Sequence, residues 1–213
     1  MCWNESVSMN TFLFSMFVLS LIIYNNAYTK YKIKELDNFW MYVFMVSVVS
    51  MQLIEFFIWR NMKNMNLNRI FTMLGRFLLI IQPIFSLMIL PNDSLRNKLL
   101  VAYLLISIPY SFFVFSKDIY SNVSKNGHLS WNSYNISPVV LICYLFFLVF
   151  SFAYKNMWLG ILVGFLLIVV SYYNYNEGNT LGSMWCWMIN SFAIYYAFYL
   201  LICLPFIEKK DIC

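Results

Sequence analysis

Long apolar runs alternate with short polar breaks along the whole chain. Seven runs approach the length of about 20 residues that a helix needs to cross a bilayer. They cover residues 11–28, 39–59, 70–90, 99–116, 136–154, 157–175 and 182–206. The pattern predicts an all-α polytopic membrane bundle of about seven transmembrane helices, forming one domain over residues 1–213. The first run has no basic stretch before it and no small-residue cleavage site after it, so it reads as a retained span. Lys155-Asn156 joins the fifth and sixth runs as a tight antiparallel hairpin. Gly160-x-x-x-Gly164 in the sixth run allows close helix packing. Pro83 and Pro109 fall inside runs and predict kinks.

Within this pattern one stretch is out of place. Gln52-Leu-Ile-Glu55-Phe-Phe-Ile-Trp59 ends the second run and embeds a carboxylate in apolar sequence. An intramembrane charge is costly, so Glu55 needs a partner or a use. Spacings of three and four put Gln52, Glu55 and Trp59 on one helical face. Arg76 and Gln82 lie in the third run, and Ser183, Trp185, Cys186, Trp187 and Asn190 open the seventh. Glu55 stands five residues and Arg76 six from the loop they share, roughly 7–9 Å of helical rise. The seventh run starts on the same side, so its polar face falls at overlapping depth. Two readings stay open. One is a polar pocket floored by Gln52, Glu55, Arg76 and Asn190 and walled by tryptophans. The other is an interhelical ion pair that fixes packing, with Trp59, Trp185 and Trp187 as interfacial belt residues.

Composition places the chain firmly in the membrane class. Of its 213 residues 62% are hydrophobic and 11% charged, against about 25% charged in soluble domains. Mean hydropathy is +0.70. The net charge of +5 sits mostly in loops, and no basic face with interleaved aromatics points to nucleic acid. The loops on the amino-terminal side hold Arg60, Lys63, Arg69, Lys117 and Lys125. The opposite side holds Lys30, Lys32, Lys34, Arg96, Lys98, Lys155, Lys209 and Lys210. Positive charge favours the cytosol, which predicts the amino terminus out and the carboxyl terminus in. Sequons at Asn4, Asn122 and Asn135 agree with this orientation, and one at Asn92 does not.

The five cysteines show no C-x-x-C or Cys/His cluster, so neither a zinc site nor a cofactor is predicted. His128, the only histidine, lies in the longest polar connection and reads as a solvated loop residue. No lysine stands in the seventh run to carry retinal, receptor motifs are missing, and so are the intramembrane histidines of seven-span hydrolases. Gln82-Pro83 reverses the pair of the PQ-loop transporters and has no second copy.

The motifs Gln52-x-x-Glu55-x-x-x-Trp59 and Gly182-Ser-x-Trp185-Cys186-aromatic resemble those of a family of small bacterial seven-span proteins, and a composition rich in Asn and Ile and poor in Gly and Ala would fit the AT-rich coding of a large DNA virus. That family carries Q-x-x-E-G-x-x-W late in the second span and S-x-W-C-F at the seventh. Here Phe56 replaces the glycine, and Gln82 stands where an aromatic would precede Pro83. The resemblance implies a seven-span layout and no particular activity. The sequence therefore predicts a multi-pass protein that binds or transports a small molecule or ion at Glu55 and Arg76, with the lipid bilayer as its other partner. A lipid-modifying membrane enzyme, and a structural component of a cellular or virion membrane, are the alternatives.

Overall fold

In the computed structural model, residues 4–116, 119–131, 138–175 and 178–210 are described. Among the described residues nine α-helical segments follow in order: α1 (Glu5–Tyr28), α2 (Phe39–Arg60), α3 (Met65–Leu87), α4 (Asp93–Phe115), α5 (Pro138–Tyr154), α6 (Trp158–Tyr175), α7 (Leu181–Ile189), α8 (Ser191–Phe198) and α9 (Leu204–Lys210). A two-stranded hairpin, β1 (Asn122–Val123) and β2 (Leu129–Ser130), lies between α4 and α5.

The first four helices share one start signal. Asn4, Asn38, Asn64 and Asn92 each stand at the N-cap and accept a backbone N–H from the first turn, at 2.9, 2.9, 3.2 and 3.0 Å. Asparagine satisfies a helix donor that would otherwise be orphaned. These caps start α1, α3 and α4 five or six residues before the apolar runs do. The polar first turns belong to the helices, although they lie outside the hydrophobic windows. Pro83 and Pro109 sit inside α3 and α4, as expected. At the loosened turn before Pro83, the Ile80 carbonyl accepts the Tyr103 hydroxyl.

Among the described residues six helical stretches are long and apolar enough to cross a membrane: α1, α2, α3, α4, α6 and the run Leu181–Ile207. The chain is a multi-pass membrane protein on that ground. Broad exposed apolar surface agrees, with Phe17, Leu105, Phe112, Ile142, Leu159 and Phe165 all facing outward. Among the described residues the fifth run does not join these six stretches, forming a helix of 17 residues, Pro138–Tyr154. Nor is the last run one continuous helix. It breaks at Asn190, whose side-chain N–H donates back to the Cys186 carbonyl at 2.7 Å, and it passes through a π turn at Tyr199–Cys203.

Helix α3 is the hub, packing against α2, α4 and α5. A polar seam along its buried face, Asn68, Thr72, Arg76, Gln82 and Ser86, recurs at helical spacing. Gln82 donates to the Ser47 carbonyl of α2 at 3.3 Å and accepts the Tyr144 hydroxyl of α5 at 3.0 Å. Ser86 donates to the Leu148 carbonyl of α5 at 2.6 Å. Between apolar helices such bonds supply the register that uniform hydrocarbon packing does not.

The α5–α6 hairpin forms as predicted. Asn156 adopts φ 59°, a left-handed conformation that asparagine tolerates. The glycines of α6 do not pack closely, in contrast to expectation. A side chain at Gly160 would meet nothing within 4 Å, and one at Gly164 only Ile189 Cδ1 at 3.8 Å.

Candidate functional site: a capped polar cluster

Two contacts fix how α2 and α3 lie against each other. Gly75 faces Ile54 Cγ2 and Met51 Cε, with room for a Cβ only at 3.3 and 3.8 Å. Farther along, Gln82 reaches Ser47. This antiparallel register places Arg76 level with Gln52–Glu55, the juxtaposition the motif spacing predicts. The depth differs from expectation. Arg76 is eleven residues into α3, since that helix begins at Met65, or roughly 16 Å of rise.

Gln52 and Glu55 are 0% exposed and Arg76 is 2% exposed. Gln52 Nε2 donates to Glu55 Oε2 at 3.2 Å across one turn of α2. Gln52 Oε1 is buried with no hydrogen-bond partner among the described residues. The α7 start closes on the same region. Cys186 is buried with Met51, Ile58 and Leu79, and its thiol lies within electrostatic reach of Glu55. Trp59 and Trp187 pack on the edge of that cluster. Ser183 is buried beside it on α7.

Gln82 and Asn190 belong elsewhere. The side chain of Gln82 is committed to Ser47 and Tyr144, about 9 Å of helical rise past Arg76. The Asn190 Nδ2 donor is spent on the Cys186 carbonyl. Neither floors a pocket at Glu55. Trp185 turns toward two apolar cavities that flank the α7 start, about 490 and 590 Å³ in volume. Gln52, Glu55 and Arg76 line neither.

The connection before α5 is the feature that sequence reasoning missed. It folds onto the bundle end as a plug. Leu129, Ser130 and Trp131 are buried, and His128 is 8% exposed, contrary to the expected solvated loop. Trp131 Cη2 lies 3.6 Å from where a Gly75 side chain would begin. The plug is tied on two sides. Asn68 Nδ2 donates to the Ser121 carbonyl at 3.1 Å, and the Ser121 N–H donates to Asn68 Oδ1 at 2.8 Å. Thr72 and Ser121 share a hydroxyl bond of 2.9 Å. On the far side Asn126 donates to Thr180 Oγ1 at 3.1 Å while accepting the His128 N–H at 3.1 Å. Gly178 permits that approach, since a side chain there would sit 2.7 Å from Asn126 Nδ2. Gly127 turns the hairpin at φ 79°.

The His128 ring stands edge-on to Tyr175, centroids 5.3 Å apart. Burial pushes its pKa below the ordinary value, which favours the neutral imidazole. A sequence signal for the plug existed. Asn68-x-x-x-Thr72-x-x-x-Arg76 marks a polar face of α3 that must meet something polar.

Among the described residues no group of three His, Cys, Asp or Glu side chains is placed to hold a metal. The arrangement offers a carboxyl, an amide and a guanidinium in a water-poor interior, able to recognise a polar group by charge and hydrogen bonding. The predicted sequon Asn135 and the loop acid Glu177 lie outside the described residues. In comparison with known proteins, no family model, no curated protein and no solved structure matches the chain.

Proposed function

We propose that the protein binds or transports a small polar molecule or ion at Gln52, Glu55 and Arg76, with the β1–β2 hairpin as the cover of that site. The observation that carries this reading is the burial of a carboxyl and a guanidinium at one level of adjacent helices, beneath a plug held by side-chain hydrogen bonds. Charges inside a membrane domain cost several kcal/mol each and are a functional-site hypothesis by default. A covered site also suits a solute that must shed water to enter. The positive-inside pattern supports a site facing the outer or luminal side.

The test is native mass spectrometry of the protein released from lipid nanodiscs, wild type against Glu55→Gln. The reading expects a stoichiometric low-mass adduct or bound ion in the wild type, reduced at least tenfold in the variant at equal folded yield. Absence of any adduct or bound ion in the wild type overturns it.

A structural reading has one observation in its favour: the flanking cavities stop short of Gln52, Glu55 and Arg76. On that reading the cluster fixes helix register and holds no solute.

A further inference from the structure

The cavity of about 490 Å³ lies between α1, α2, α5, α6 and the α7–α8 break. That volume falls inside the roughly 300–1,000 Å³ range of small-molecule sites. Its outer wall is formed by Ile142 and Phe146 of α5 and Phe165 of α6. These side chains are 67%, 50% and 59% exposed, so the mouth opens sideways through the apolar belt rather than at a polar end. Gly160 and Gly164 present a bare wall to it, with open space over the first and only Ile189 near the second. A solute entering here comes from the hydrocarbon of the bilayer.

Three lining residues, Ser15, Trp185 and Asn190, each carry a buried polar atom that makes no hydrogen bond among the described residues, Trp185 through its Nε1. Ser15, 2% exposed and near the middle of α1, has an Oγ that makes no hydrogen bond among the described residues. Asn190, 7% exposed, donates through Nδ2 to Cys186. Its Oδ1 remains unpartnered among the described residues. An unmade hydrogen bond at a buried polar atom costs about 1–3 kcal/mol, and in hydrocarbon nothing else supplies it. No Asp, Glu, Lys, Arg or His is among the lining residues, so a charged headgroup has no counter-ion there.

We infer that this cavity binds a neutral hydrocarbon bearing a hydroxyl group, taken up laterally from the membrane. A hydroxyl can accept from the Ser15 hydroxyl or the Trp185 Nε1–H and donate to Asn190 Oδ1, whereas a carbonyl complements only the donors. The site is separate from the Gln52–Glu55–Arg76 cluster and stands whether or not that cluster holds a solute.

The experiment uses the full chain in nanodiscs and a photoactivatable long-chain alcohol, with hexadecanol, cholesterol and hexadecane as competitors. The expected result is saturable labelling at about one probe per chain, with labelled peptides from α5, α6 or α8. Displacement by hexadecanol assigns the source to chain alcohols, and displacement by cholesterol assigns it to sterols. Equal displacement by hexadecane overturns the hydroxyl requirement. Gly160→Leu and Gly164→Leu fill open space, so both should keep the wild-type unfolding temperature and reduce labelling at least tenfold. Ser15→Ala should weaken the alcohol on the order of five-fold, the worth of one hydrogen bond, and leave hexadecane binding unchanged. Undiminished labelling in both folded glycine variants, or labelling spread over the lipid-facing surface, overturns the proposal.

Discussion

Trp131 and Gly75 show how much one contact decides in this protein. The indole edge of Trp131 rests over Gly75, which itself sits between Ile54 and Met51. That stack lets α2, α3 and the plug meet without a gap beside Arg76. Trp131→Ala would leave a large void, and losses of about 3–5 kcal/mol are typical for such truncations in cores. Gly75→Val would instead crowd Ile54 Cγ2, already at 3.3 Å from a bare Cβ, at a cost of about 1–3 kcal/mol. Thermal unfolding in nanodiscs measures both, and Trp131→Ala is expected to be the more damaging. His128 adds a pH response. Its pKa is lowered in the fold, so the unfolded or undocked ring binds more protons as pH drops below about 6.5. Its contribution is present above that value and is lost as pH falls through the lower, folded value. The protection of the Val123 and Leu129 amides against hydrogen exchange, relative to their intrinsic exchange rate at each pH, should therefore fall between pH 7.5 and 5, and His128→Gln should flatten that response.

At the scale of elements, the same device appears twice. Asn68 bonds both backbone groups of Ser121, and Asn26 bonds both backbone groups of Ile33, at 3.3 and 2.7 Å. In each case a helix side chain takes the place of a neighbouring strand and holds a connection against the bundle. Asn68→Leu removes two such bonds and should destabilise plug docking by about 1–3 kcal/mol. The readout is faster proteolysis between residues 119 and 131, with α2 and α3 still protected. Intact resistance in that segment would show that packing alone holds the plug. The elements also mark what the chain made legible. Apolar runs announced the helices, because a bilayer demands length and hydropathy from each segment separately. The spacing of Gln52, Glu55 and Trp59 announced a buried polar face for the same local reason. The plug was announced only from the α3 side, by the Asn68–Thr72–Arg76 face, since residues 119–131 are mostly polar and their burial depends on Asn68, Thr72 and Thr180, distant in sequence. The break at Asn190 was equally hidden, because asparagine inside an apolar run reads as a pocket residue until its amide is seen on Cys186.

For the whole molecule, α3 ties together α2, α4 and α5, and α4 and α6 present most of their surface outward. Buried polar ties lie along the α3 seam and at both ends of the bundle, Asn68 with Ser121 at one and Asn26 with Ile33 at the other. The orientation expected from loop charge is open to direct measurement. Cysteines introduced at Lys125 and Lys155, in a chain whose native cysteines are replaced, should react with a membrane-impermeant maleimide from the outside and only after permeabilisation, respectively. The reverse pattern would invert the topology and place the plug in the cytosol.

The central claim is that Gln52, Glu55 and Arg76 serve a bound solute and do more than fix the helices. A double-mutant comparison of Glu55→Gln, Arg76→Ala and the pair, reading bound adduct or ion per folded molecule together with folded yield, separates the two. Glu55→Gln should fold to near wild-type yield yet lose binding at least tenfold, and the double variant should not regain it. Equal loss of folded protein in both single variants, with recovery when both charges are removed, would contradict it.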